Sequence, residues 1–231
     1  MGLSYTEKLS SMFASITPDE KVKAVTAWFN EVDEIIADIK ELTSSTSKHH
    51  DKTAILTLYA LLERMASFRY RSSKLGSGKK FKKILLDYSG DKAALEKIDL
   101  AFLGERNCFI YTKNKSYIYG IKKIHNKIID VLNELYGTIE VGMKNRFIEL
   151  DNIHAALLSK QICPTCLDKN ALKLYSVHEV IYRFGRCKAV HEGEFITVGF
   201  ITLPFLIYVV QNITNNLRGA CIAEKKWAYE L

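Results

Sequence analysis

Proline is scarce in this chain: three among 231 residues, beside twelve glycines. So little punctuation excludes collagen-like, proline-rich and low-complexity classes and leaves little room for disorder. Internal repeats are absent too, which excludes solenoids and propellers. The five cysteines are an odd number in a chain long enough to bury a core without cross-links. A disulfide framework is therefore not expected, and a reducing, cytoplasmic compartment is. The opening stretch MGLSYTEKLSSMF lacks the apolar core of a signal peptide. Acidic residues are in deficit, 26 against 33 Lys and Arg, giving a net charge of +7 and a pI near 9.0. That balance attracts polyanions, RNA or DNA first among them.

What the chain has is helical periodicity. Thr17-Pro18-Asp19-Glu20 combines an N-cap, a first-turn proline and a capping-box glutamate. Val22, Val25, Phe29, Val32, Ile36 and Ile39 then recur every three or four residues. The polar run TSSTSKHH reads as the loop that ends this helix, with His49 and His50 solvated on it. A second helix is expected from Asp51, with Ile55, Leu58, Leu62 and Met65 on one face. Lys79–Tyr88 and Asp91–Leu103 read as short helices hinged at Ser89-Gly90. Asn114–Tyr136 carries a stripe of Tyr117, Ile121, Ile124, Ile128, Leu132 and Leu135, with Gly137 as its C-cap, and a further helix is expected over Thr138–Lys160. Phe195–Leu217 has no charged residue, a length that suits a membrane span. Pro204 and the polar cluster Gln211, Asn212, Thr214, Asn215 and Asn216 argue against one. The expectation is a short β-hairpin near residues 195–202, then a buried helix bearing Leu206, Val209, Val210, Ile213 and Leu217. Together these features predict an all-α helical bundle with that one hairpin. It would form a single domain over 1–231, with a helical N-terminal part to about 160 and a C-terminal part from about 161.

The most basic stretch is FRYRSSKLGSGKKFKK. Arg69, Arg71, Lys74, Lys79, Lys80, Lys82 and Lys83 surround Gly76-Ser77-Gly78, with Phe68, Tyr70 and Phe81 interleaved. Cations and aromatics in this mixture suit a nucleic-acid backbone, and equally a solvated charged loop. The GSGK it contains is not a P-loop, because Ser73 stands at the earlier glycine and Lys80 replaces the hydroxyl that would hold Mg²⁺.

Chemistry concentrates in YRFGRCKAVHEGEF, where Arg186 and His191 have four residues between them. A guanidinium grips two phosphate oxygens in a fork and keeps its charge at any working pH. An imidazole titrates near neutrality and exchanges protons. On RNA the 2'-hydroxyl is an internal nucleophile, so such a pair needs no metal and leaves a 2',3'-cyclic phosphate and a 5'-hydroxyl. On an α-helix, residues five apart diverge by about 140°. One α-helix therefore cannot aim both side chains at one phosphate. Either the helix breaks near Gly193, or two protomers bring their copies together. Glu179, seven residues before Arg186, is placed to orient its guanidinium or to make a surface ion pair.

With Val190 before the histidine, Glu192 after it and an apolar run over Phe205–Leu217, this segment resembles the R-x4–6-H signature of the HEPN superfamily. The resemblance covers roughly residues 170–220. It implies an all-helical, metal-independent endoribonuclease of a phage-defence system or toxin pair, with RNA as substrate. It also implies a composite site at a homodimer interface and an antitoxin or activating partner. Cys187 stands where many catalytic members carry Asn or Asp, and Gly193 stands where the tyrosine-modified toxins carry Tyr. Two alternatives remain beside it. One is a non-catalytic helical interaction module. The other is a zinc-stabilised nucleic-acid binder, since Cys163, Cys166, Cys187 and His191 form C-x2-C-x20-C-x3-H. Zinc and catalysis compete for His191.

Overall fold

A computed structural model describes residues 16–43, 48–106, 121–137, 146–162, 169–192 and 200–224. The elements in chain order are α1 (Pro18–Thr43), α2 (Lys48–Arg69), α3 (Ser77–Tyr88), α4 (Lys92–Glu96), β1 (Ile98–Asp99) and α5 (Leu100–Arg106). There follow α6 (Ile121–Tyr136), β2 (Phe147–Ile148), α7 (Leu150–Ser159), α8 (Lys169–Lys173), α9 (Val177–Val180), a π-helical run over Ile181–Glu192, and α10 (Leu203–Glu224). The fold is all-α apart from one two-stranded pair. It divides into two compact units, Met1–Gly90 with Ala189–Leu231, and Asp91–Lys188. The sequence suggested one domain with its internal division near 160. The first unit is built from two stretches of the chain, Met1–Gly90 and Ala189–Leu231.

In the first unit α10 packs against α1, α2 and α3, and α2 packs against α1 and α3. The periodic residues supply the core. Val25, Phe29, Val32, Ile36 and Ile39 of α1, Leu58, Leu62 and Met65 of α2, and Leu206, Val209, Val210, Ile213 and Leu217 of α10 are all buried. Each such side chain contributes about 1.5–3 kcal/mol by leaving water. Val22 and Ile55, at the ends of their stripes, are only half-buried. Leu206, Val209, Val210, Ile213 and Leu217 of the uncharged stretch thus serve the protein core. Among the described residues no helix is long and apolar enough to cross a membrane. Its helix begins where Thr202 accepts the Phe205 N–H at 3.3 Å, with Pro204 in the first turn. Polar ties fix α10 further. Asn216 donates to the Tyr88 carbonyl at the end of α3 at 2.8 Å, and Arg218 donates to the Phe29 carbonyl at 3.2 Å and to Asp33. Gly90, just beyond α3, has φ +83, and a Cβ there would meet Asn216 at 3.4 Å.

The capping box of α1 forms as its sequence dictates. Thr17 N–H donates to Glu20 Oε2 at 2.8 Å, and Glu20 N–H donates to Thr17 Oγ1 at 3.3 Å. The Thr17 backbone N–H, and then its hydroxyl, hold the Glu20 carboxyl below the ordinary range. A depressed carboxyl stabilises above its unfolded pKa and stops doing so as pH falls through the folded value. Thr17→Ala should lower the melting midpoint by roughly 2–4 °C at neutral pH. Melts repeated in acid should show that difference shrinking.

A second pH effect comes from the first unit's interior. Burial pushes the Cys221 thiol up to about 11 from 9.0, and burial raises the Tyr59 and Tyr70 phenols as well. Raised acids stabilise below their unfolded pKa and cease to as pH passes the folded one. The melting midpoint should therefore fall between pH 9.0 and about 11, and less steeply in Cys221→Ser.

The second unit departs from the expected pattern most. Asp91–Leu103 is not one helix. It breaks after Glu96, and Ile98-Asp99 pairs antiparallel with Phe147-Ile148. The helix expected from Thr138 begins, among the described residues, only at Leu150, because 147–148 is strand. The helix expected from Asn114 is described from Ile121, and 114–120 lie outside the described residues. On it Ile128 and Leu132 are buried but Leu135 is 43% exposed. Gly137 ends it with φ +87, as a C-cap should. Most of the expected hairpin near 195–202 lies outside the described residues, and 200–202 are not strand. His49 and His50, expected on a loop, stand in the first turn of α2.

Asp99 holds the strand pair in place. Its side chain is fully buried, and both oxygens take the Arg146 guanidinium at 2.9 Å. Asp99 Oδ1 also accepts the N–H groups of Ala101 and Phe102 at 3.2 and 3.3 Å, which caps α5. Ile98 forms a further bridge to Ser176, and Val177 N–H donates to the Lys97 carbonyl at 3.0 Å, so α9 is hung from β1.

Candidate functional site

The segment bearing Arg186 and His191 leaves α9 without a break and widens into a π-helix over Ile181–Glu192. Its first residues are anchored. Val180 and Ile181 are buried, and Phe184 meets Phe102 edge-on at 4.3 Å between ring centroids. Gly185, at mid-run, is buried as well. A π-turn bonds residue i to i+5 instead of i+4, and such turns gather at functional sites. Positions 186 and 191 are five apart, the spacing of one i→i+5 bond along the backbone of this run. The α-helical divergence of about 140° does not apply here.

Arg186 is half-buried, and its Nη1 lies 3.9 Å from Cys187 Sγ. The backbone of His191 belongs to the last turn of the run, and its side chain lies outside the described residues. Glu179 Oε2 accepts from Arg183 Nε at 2.8 Å, one α-turn further along. Its carboxylate is mostly sheltered, at 12% exposure.

One histidine that the motif did not single out is better defined. His178 Nδ1 lies 2.9 Å from the Leu95 carbonyl, which only accepts, so Nδ1 carries the proton. Ser176 Oγ lies 3.2 Å from the same nitrogen. These two contacts fix the orientation of the ring. The sequence signalled this residue only by its place within the stretch of resemblance, roughly residues 170–220. The Leu95 partner is 83 positions away.

The basic stretch folds into the end of α2, a turn and α3, all within the first unit. Its residues are not equivalent. Arg69 is bound by Glu224 through both Nη atoms, at 3.0 and 2.8 Å, and by the Tyr88 hydroxyl through Nε at 2.5 Å. Lys83 is bound by Asp87 at 2.7 Å and covers the Tyr70 ring at 5.3 Å. Arg71 and Lys79 are exposed, and Lys80 and Lys82 are half-buried. The interleaved aromatics are occupied. Phe68 stacks on Trp28 at 4.8 Å, Phe81 is buried, and the Tyr70 hydroxyl donates to Asp87 at 2.6 Å.

Of the alternative zinc ligands, Cys187 is half-buried with a free thiol, and Cys163 and Cys166 lie outside the described residues. Among the described residues no three metal-ligating side chains cluster. Comparison with family models, with curated proteins and with solved structures gives no match.

Proposed function

We propose that the chain is a metal-independent endoribonuclease of HEPN type, acting in phage defence or as a toxin, with its composite site at a homodimer interface. The supporting observation is the π-helical run over Ile181–Glu192, along which positions 186 and 191 have the spacing of one i→i+5 bond. Arg186 grips the scissile phosphate and neutralises the charge that grows on its oxygens. The 2'-oxygen attacks phosphorus, its proton passes to a base, and the P–O5' bond breaks as the 5'-oxygen takes a proton. His191 serves one of these two transfers, and its copy in the second protomer is available for the other. Glu179, seven residues before Arg186, accepts from Arg183.

The half-burial of Arg186 favours a second reading, a non-catalytic interaction module in which the guanidinium is a packing group. Purified protein incubated with mixed-sequence RNA in EDTA, beside His191→Ala, separates the two. The ribonuclease cleaves as parent and not as variant, with both folded and in the same oligomeric state. An interaction module cleaves in neither form. Loss of folding in EDTA assigns His191 to zinc instead.

A further inference from the structure

We infer that Lys74, Lys79 and Lys80 hold the phosphate backbone of single-stranded RNA, and that Arg69 and Lys83 of the same basic stretch hold the fold. The identity of the polyanion rests on the ribonuclease reading, and the division among the cations rests on geometry. Glu224 fills the fork of Arg69, with Tyr88 on the remaining Nε, so no second fork is left for a phosphate. The charge of Lys83 is met by the Asp87 carboxylate, which Tyr70 also holds.

Lys74 and Lys79 are exposed and Lys80 is half-buried. No described carboxylate pairs with any of these three, and the first turn of α3 contains no acidic residue. Phe81, Ile84 and Leu85 turn one face of α3 into the core. Helical spacing puts Lys79 opposite that face and Lys80 on its flank. Three ammonium groups with no described carboxylate partner thus lie within seven residues of sequence. With Phe68, Tyr70 and Phe81 engaged in the fold, none of them offers a ring for a base to stack on. The surface therefore reads charge and not sequence. Its binding releases counter-ions, at roughly 0.7 per phosphate contacted on a single strand.

A fluorescent 2'-O-methyl RNA tests this directly. It has no 2'-nucleophile, so binding is read without cleavage. Anisotropy titrations across a salt series would compare the parent with Lys74→Gln/Lys79→Gln/Lys80→Gln and with Lys83→Gln. The triple variant should bind about tenfold or more weakly, and its log–log salt slope should flatten by roughly 2. Lys83→Gln should keep the parent's slope and melt at a lower temperature. An unchanged slope in the triple variant would overturn the assignment, as would equal flattening in Lys83→Gln. So would a parent that ignores RNA and binds phosphatidylserine vesicles. A parent that binds as expected yet leaves ordinary RNA intact removes the ribonuclease reading and keeps the lysine assignment.

Discussion

Asp99→Ala should destabilise the second unit by about 3 kcal/mol, the low end of the cost of breaking a buried ion pair. Three losses combine. Arg146 keeps its charge at 29% exposure with its carboxylate gone. The Ala101 and Phe102 N–H groups lose their acceptor at the start of α5. The strand pair loses the tie that sets its register beside Phe147. Asp99→Asn keeps an acceptor for the cap but forfeits the charge and half the fork, so it should cost less. Arg146→Met alone strands the carboxylate inside. Combined with Asp99→Ala it should cost clearly less than the two single changes summed, because the partners fail together. Urea unfolding of the four proteins gives that coupling energy. Hydrogen exchange at Leu100–Leu103 should report the loss locally.

The larger effect concerns activity. His191→Ala should reduce RNA cleavage by roughly 10²–10⁴, the usual contribution of one positioned acid or base. Arg186→Ala should fall as far, since an uncompensated phosphate charge then develops in the transition state. Arg186→Lys separates charge from shape. Lysine keeps a point charge but cannot make the planar two-pronged grip, so it should recover only part of the rate. Arg183→Gln is the control for the neighbouring cation, whose partner is Glu179. It should retain most of the activity. Single-turnover cleavage rates measure all four.

The helices that were legible in the sequence carry local signals. The capping box at Thr17 and Glu20 names its own start, and the stripes of α1, α2 and α10 bury as their periodicity dictates. Pro204 also stood where a helix begins, because its missing N–H costs nothing in a first turn. The features that were not legible depend on distant partners. Two-residue strands are too short for alternation to show, and Ile98-Asp99 becomes a strand through Phe147-Ile148, far along the chain. Nor does hydrophobic spacing reveal that α3 and α10, far apart in sequence, share a unit. At the candidate site, residue types and spacing were readable. The width of the turn was not, since an apolar pattern alone does not distinguish i→i+4 from i→i+5 bonding. The basic stretch was visible as composition, but its division into fold-holding and exposed cations required Glu224 and Asp87.

Mass spectrometry of the RNA ends produced by the parent protein in EDTA tests the central claim most directly. Attack by the neighbouring 2'-hydroxyl predicts 2',3'-cyclic phosphate on one fragment and 5'-hydroxyl on the other, with no product from 2'-O-methyl RNA. Fragments ending in 3'-hydroxyl and 5'-phosphate, or cleavage that vanishes until a divalent metal is restored, would contradict it.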